Sequence, residues 1–214
     1  MRAVFVRVKR NVSTMSKSDQ SNPLVLPGTS RANVNRLGYI GRTPTDKPRD
    51  ADSWFTPPEY LDSVRTVMGG IDLDPFTSEK ANEIVGAKWI FTMERSAFDN
   101  DWKVAKNGRV FMNPPYSAGL CGRAINRFID QYEARKFAEG IVLVNNATDT
   151  RWFNALSKFC GAICFTDHRI SFWNADRKHV SGNTRGQAFF YFGKKLAKFK
   201  KAFEKHGFVL LPAK

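Results

Sequence analysis

The sequence predicts an α/β domain, a mostly parallel sheet with helices on both faces and an antiparallel hairpin near its carboxyl end. Two observations carry this expectation. From Trp54 onward, short apolar runs alternate with amphipathic stretches of helical period, as successive βαβ units do. In the last third the alternation gives way to two apolar runs around a polar, Gly/Asn-rich middle, the pattern of a hairpin. The 214 residues, 42% hydrophobic and 13% aromatic, suffice for one domain with tails.

Up to about Ser53 the composition is Ser, Asn, Arg, Thr and Pro with little periodicity, so residues 1–50 are expected to form a basic mobile arm. Its first residues are basic, but Arg7 and Lys9 interrupt the apolar part too early for a secretory leader, and Met15 offers an alternative start. "TPPEYLDSVRTVMGG" places Pro in a first helical turn, Glu59 at the positive helix end, Leu61, Val64 and Met68 at helical spacing, and a Gly-Gly stop. "IDLDPF" reads as a short strand, either the first or the second of the fold. "SEKANEIVGA" reads as a helix capped by Ser78 with Gly86 beyond it, and "GRVFM" as another strand.

"AGLCGRAINRFIDQYEARKFAEG" predicts a long amphipathic helix, "IVLVNN" a buried strand, "DTRWFNALSKFC" a helix with Asp149 at its start, and "GAICFT" a further strand. "HRISFWNADRKHVSGNTRGQAFFYFG" predicts the hairpin, with Phe189, Phe190 and Phe192 in the core. "KKLAKFKKAFEKHG" sets Leu196, Phe199 and Phe203 on one side among lysines, as a docked basic helix does. The expected organisation is an arm over 1–50, an α/β domain over 51–193 and a basic helix and tail over 194–214.

The net charge of +14 concentrates at the ends. Residues 1–50 hold ten Lys/Arg against three Asp/Glu, and residues 194–214 hold seven lysines against Glu204. Such ends suit a polyanion such as nucleic acid, gripped through its phosphates rather than read through its bases. No apolar run approaches the roughly 18 residues that span a bilayer. Cys121, Cys160 and Cys164, with His168, His179 and His206, lack zinc-ligand spacing, so no metal site is expected. An odd cysteine count suits a reducing, intracellular compartment.

Ligands of open α/β sheets sit outside the carboxyl ends of the strands. Here those ends are polar: Asp72 and Asp74 on the first, Asn113-Pro114-Pro115-Tyr116 on the second, Asn145 and Asn146 on the third. Two adjacent prolines stiffen the chain after Met112 and hold the preceding residue extended, so the loop presents its side chains rather than packing them. The three ends are expected to meet in one cleft.

"NPPY" after an apolar strand resembles the catalytic motif of amino methyltransferases that use S-adenosylmethionine. In their order, "WFTPPEYL", "IDLDPFTSEKAN", "DNDW", "VFMNPPYS" and "DHRISF" resemble the phage-type DNA adenine-N6 methyltransferase family, over roughly Trp54 to Phe192. The resemblance implies a Rossmann-like S-adenosylmethionine methyltransferase fold acting on DNA. It implies that the Asn113 side-chain oxygen and the Pro114 carbonyl accept the two hydrogens of the adenine amine, with Pro115 adding stiffness, and that Tyr116 stacks on a base taken out of the duplex. It also implies a cofactor pocket lined by Trp54, Thr56, Pro57, Asp72 and Asp74, with Asp99 near the cofactor adenine.

No Gly-x-Gly follows the acidic strand; Thr77-Ser78-Glu79 stands there instead. Asp74 reads equally as a turn or cap residue, and Asp99 as a loop residue. Arg169 is either a DNA contact or half of a structural ion pair. Asn183 and Arg185 are either DNA contacts or a polar loop tip. Two other readings stand beside DNA methylation. One is the same chemistry on RNA adenine or a protein glutamine amide; the other is a nucleic-acid-binding protein without catalysis.

Overall fold

The computed structural model describes residues 54–211, apart from 103, 106, 118, 175, 181 and 182. The expected 1–50 arm lies outside the described residues.

Local signals account for the first elements. Helix α1 (Pro58–Met68) follows the extended Pro57, has Pro58 at its first position and Glu59 in its first turn, and stops at Gly69. Gly69 has φ +84°, where a side chain is strained, and its N–H reaches back to the Arg65 carbonyl at 2.7 Å. Strand β1 (Leu73–Asp74) leads into α2 (Glu79–Val85), whose first turn is capped by the Ser78 hydroxyl accepting from the Ala81 N–H. A two-residue strand that the sequence did not announce, β2 (Trp89–Ile90), pairs parallel with β1 at the sheet edge. Strand β3 (Arg109–Met112) lies on the other side of β1.

Helix α3 (Leu120–Glu133) is shorter than its amphipathic pattern, because the chain turns at Ala134 and Arg135 before β4 (Glu139–Asn145). Helix α4 (Arg151–Phe159) is capped by Thr150, whose hydroxyl accepts from the Phe153 N–H, and not by Asp149. Strands β5 (Ala162–Thr166) and β6 (Gln187–Phe192), helix α5 (Leu196–Phe203) and strand β7 (Gly207–Leu210) follow.

The strands form one seven-stranded sheet in the order β2-β1-β3-β4-β6-β5-β7. β2, β1, β3 and β4 are mutually parallel; β6 runs antiparallel to both its neighbours, and β7 runs antiparallel to β5. The predicted hairpin needs correction here. The segment after His168 forms no strand ladder with β6; its bridge pairings are Trp173 with Phe55 and, within the segment, Trp173 with His179, and the Gln187 side chain accepts from the Ile170 N–H at 2.9 Å. β6 is buried along all six residues, so it requires neighbours on both edges and cover on both faces, and it inserts between β4 and β5. The sheet also runs past residue 193, through β7, while α5 packs on α1 and β5.

Strand alternation divides the core in two. Phe111, Ile141, Leu143, Phe189 and Tyr191 face α1, α2 and α5, where Leu61, Val64, Phe199 and Phe203 are fully buried. Val110, Met112, Val142, Val144, Phe190 and Phe192 face α3 and α4, joined by Ile125, Phe128, Phe153 and the fully buried Trp102. With β1, β3 and β4 parallel, their carboxyl ends lie on one edge, and the helices that follow begin there.

Candidate active site

Asn113 is the first residue past β3, and its amide is held at both ends. Its Nδ2 donates toward the Trp54 carbonyl and the Thr56 hydroxyl oxygen, both at 3.4 Å, and its Oδ1 accepts from the Tyr116 hydroxyl at 3.1 Å. The same tyrosine hydroxyl lies 3.3 Å from the Leu143 carbonyl and is bonded by the Asn145 backbone, which ties the end of β3 to the end of β4. Burial pushes the Tyr116 phenol well above its ordinary range, so it is a neutral donor. Pro114 is buried and Pro115 half-buried beneath this arrangement.

A cleft of ≈ 1120 Å³ opens at this edge, between the starts of α1, α2 and α3. Of the residues predicted from sequence, Trp54, Thr56, Asp74, Asp99 and Asn113 through Tyr116 line it. Asp74 closes β1 and is 2% exposed; its Oδ1 accepts from the Phe76 N–H at 3.2 Å, and Thr77 also bonds to it. Burial raises its pKa to about 7, against the lowering effect of those two bonds. Asp99 is exposed on a loop that the buried Trp102 anchors by donating its indole N–H to the Ala97 carbonyl at 2.9 Å.

Two predicted members stand elsewhere. Asp72 precedes β1 at the opposite, amino edge of the sheet. Its carboxylate takes Arg109 Nε at 2.7 Å, Arg109 Nη2 at 2.9 Å and Lys88 Nζ at 2.9 Å, and it does not face the cleft. The Arg109 hydrogen bonds, helped by Lys88, hold that carboxyl well below the usual range. Pro57 does not line the cleft either; it is the extended residue before α1 and follows Thr56, whose hydroxyl lies beside Asn113.

Arg169, Asn183 and Arg185 lie on the long connection between β5 and β6, which runs along the carboxyl edge but outside the cleft. Asn183 is used within that connection: its Nδ2 donates to the Ile170 carbonyl at 3.0 Å, and its Oδ1 accepts from the Arg185 N–H at 3.1 Å. Arg169 and Arg185 are exposed and form no ion pair among the described residues. The connection is tied to the cleft by Phe55 and Trp173, which exchange backbone bonds at 2.8 and 3.0 Å next to Thr56. A second tie joins His168 to the Tyr60 hydroxyl at 2.7 Å.

Sequence reasoning passed over Phe76, Phe98 and Arg123. The Phe76 and Phe98 rings meet at 5.0 Å on the cleft wall, and the Arg123 guanidinium lies 4.5 Å from the Phe98 ring centre. The available signal was position: Phe76 follows Asp74 by two residues, and Arg123 is in the first turn of the helix after the Pro-Pro loop. Among the described residues no group of three His, Cys, Asp or Glu could hold a metal ion, and no helix is long and apolar enough to cross a membrane.

The site therefore combines an oriented amide oxygen, a half-buried tyrosine ring, a buried carboxyl and an aromatic wall. The family model described as DNA N-6-adenine-methyltransferase (Dam) matches residues 43–205. No curated protein matches the chain.

Proposed function

This chain belongs to the DNA N-6-adenine-methyltransferase (Dam) family, and from that premise we propose that it transfers a methyl group from S-adenosylmethionine to the N6 amine of an adenine in DNA, the base being taken out of its stack onto the loop from Asn113 to Tyr116. The observation that carries the reading is the Asn113 amide at the cleft, whose nitrogen is engaged by the Trp54 carbonyl and the Thr56 hydroxyl and whose oxygen accepts from Tyr116, which leaves a second lone pair for the target amine. The adenine amine is a weak nucleophile because its lone pair is delocalised into the ring. An acceptor on each hydrogen draws density back to nitrogen, so the Asn113 oxygen and the Pro114 carbonyl are assigned to the two hydrogens. Their value lies in being in place before reaction, which the two prolines and the hydrogen bonds to Asn113 secure.

The cleft fits the cofactor in size and donor set. Asp74 is the carboxyl that would accept from ribose hydroxyls or meet the methionine ammonium, and Phe76 and Phe98 offer apolar faces to a nucleobase. Bound there, S-adenosylmethionine supplies an electrophilic methyl on sulfur. Arg169 and Arg185, exposed at the same edge and without an ion pair among the described residues, are assigned to DNA phosphates flanking the target. A sheet with its cleft at the carboxyl ends of parallel strands supports a Rossmann-like reading of the fold.

The test is transfer of tritiated methyl from S-adenosylmethionine to DNA, RNA and a glutamine-bearing protein substrate, followed by nucleoside analysis. Label in N6-methyladenine from DNA is expected. Label confined to RNA or protein, or none with any substrate, overturns the assignment.

A further inference from the structure

We infer that Tyr116 acts through its hydroxyl as well as its ring: with Thr56 and the Trp54 carbonyl it clamps the Asn113 amide in the one orientation that presents oxygen to the target amine. The inference rests on the proposed role of Asn113 and deepens it. A carboxamide has two ends of nearly equal size and opposite polarity. Turned by half a revolution, Asn113 would offer hydrogens to an amine that itself offers hydrogens, and the contact would become repulsive.

The surroundings discriminate between the two orientations. At the Nδ2 end stand two oxygens, the Trp54 carbonyl and Thr56 Oγ1, each at 3.4 Å; at the Oδ1 end stands the Tyr116 hydroxyl at 3.1 Å. A turned amide would press its oxygen on the Trp54 carbonyl. The hydroxyl at the oxygen end is itself placed from β4, because it accepts from the Asn145 backbone N–H, and its single hydrogen goes to Asn113 Oδ1 at 3.1 Å, nearer than the Leu143 carbonyl at 3.3 Å. The segment that reads the nitrogen end is placed by the Phe55–Trp173 backbone bonds. Stretch 54–56 thus meets the Asn113 side chain directly, and stretch 143–145 meets it through Tyr116. Each contact is modest alone; the Trp54 carbonyl, which can only accept, sets the sense of the amide, and the Thr56 and Tyr116 hydroxyls complete the hydrogen bonds of that orientation.

Tyr116→Phe separates ring from hydroxyl, because it keeps the aromatic face. It is expected to lower kcat about tenfold with unchanged KM for DNA and unchanged cofactor affinity. Thr56→Val is expected to act in the same direction. In an Asn113→Ala background neither substitution should cost anything further, since no amide remains to orient. A Tyr116→Phe enzyme with the kcat of the parent, or the same loss in both backgrounds, overturns the inference.

A second readout does not require turnover. In protein labelled with 15N at asparagine side chains, the Asn113 amide hydrogens should exchange slowly in the parent and faster in Tyr116→Phe and Thr56→Val. Unprotected amide hydrogens in the parent overturn the clamp. Protection that is lost in the variants, in a parent that leaves DNA unmethylated, supports the clamp and overturns the proposed function instead.

Discussion

Asp72 grips Arg109 at 2.7 and 2.9 Å at the amino end of the strand whose other end presents Asn113. The pair fixes β3 against β1, and Lys88 adds a third contact to the same carboxylate from the residue before β2. It is a structural anchor at the edge remote from the cleft.

Asp72→Ala is therefore expected to lower stability by about 2 kcal/mol, the scale of charge-assisted hydrogen bonds lost at a mostly buried site. Cofactor affinity should be unchanged. Since Arg109 depresses the folded-state pKa of Asp72 below its ordinary 3.8, its contribution is full above that value and lost as pH falls below it. Urea titrations between pH 2 and 5 should show a shallower acid loss in Asp72→Asn than in the parent.

Asp74 should behave in the opposite sense. Its folded-state pKa is raised from 3.8 to about 7, so the folded chain holds this proton more tightly than the unfolded chain. Stability is thereby lost as pH rises through that window, and Asp74→Asn should remove the loss. Cofactor affinity measured by calorimetry should increase from pH 6 to pH 8 as the carboxylate forms, and should be weak and independent of pH in Asp74→Asn. A parent affinity that is flat with pH would remove Asp74 from the cofactor pocket.

Asn113→Ala should reduce kcat on the order of 10² to 10³-fold while cofactor binding stays normal, because its contact with the target amine strengthens as charge develops. Asn113→Asp retains an acceptor and should keep measurable turnover. Single-turnover rates that rank the two variants equally, or cofactor affinity that falls with rate in Asn113→Ala, would contradict the role given to the amide.

Removal of residues 1–50, with their ten Lys/Arg against three Asp/Glu, should weaken DNA binding at low salt and flatten its salt dependence. The methylated sequence should stay the same. Binding isotherms at several salt concentrations, together with sequencing of the modified DNA, check both parts.

Much of this was legible in the chain because its signals are local. Pro58, Ser78, Gly69 and Gly86 mark helix ends through their own conformations and side chains, and α1 and α2 lie where those residues put them. The Pro-Pro loop was equally local. The two aspartates of "IDLD" were not separable by pattern. Two residues of strand cover about 7 Å, which is the whole length of β1, so Asp72 and Asp74 belong to opposite edges of the sheet. The place of β6 was hidden for a different reason: an apolar run states that a strand is buried, but its partners are chosen by segments distant in sequence. Asn145 in β4 pairs with Gln187. Phe98 and Arg123 likewise meet across 25 positions, a distance that no periodicity spans.

The insertion of β6 between β4 and β5 bears on how the chain matures as it is made. Synthesis delivers β4 and β5 first, yet neither pairs with the other; each waits for residues 187–192. Until those residues leave the ribosome, the nascent chain holds a four-stranded group and a lone β5 with open apolar edges, the kind of surface that chaperones cover. Assembly of the sheet is thus gated by a strand made after both of its neighbours. A chain interrupted before Gln187 would carry the whole loop from Asn113 to Tyr116 and no continuous sheet to aim it.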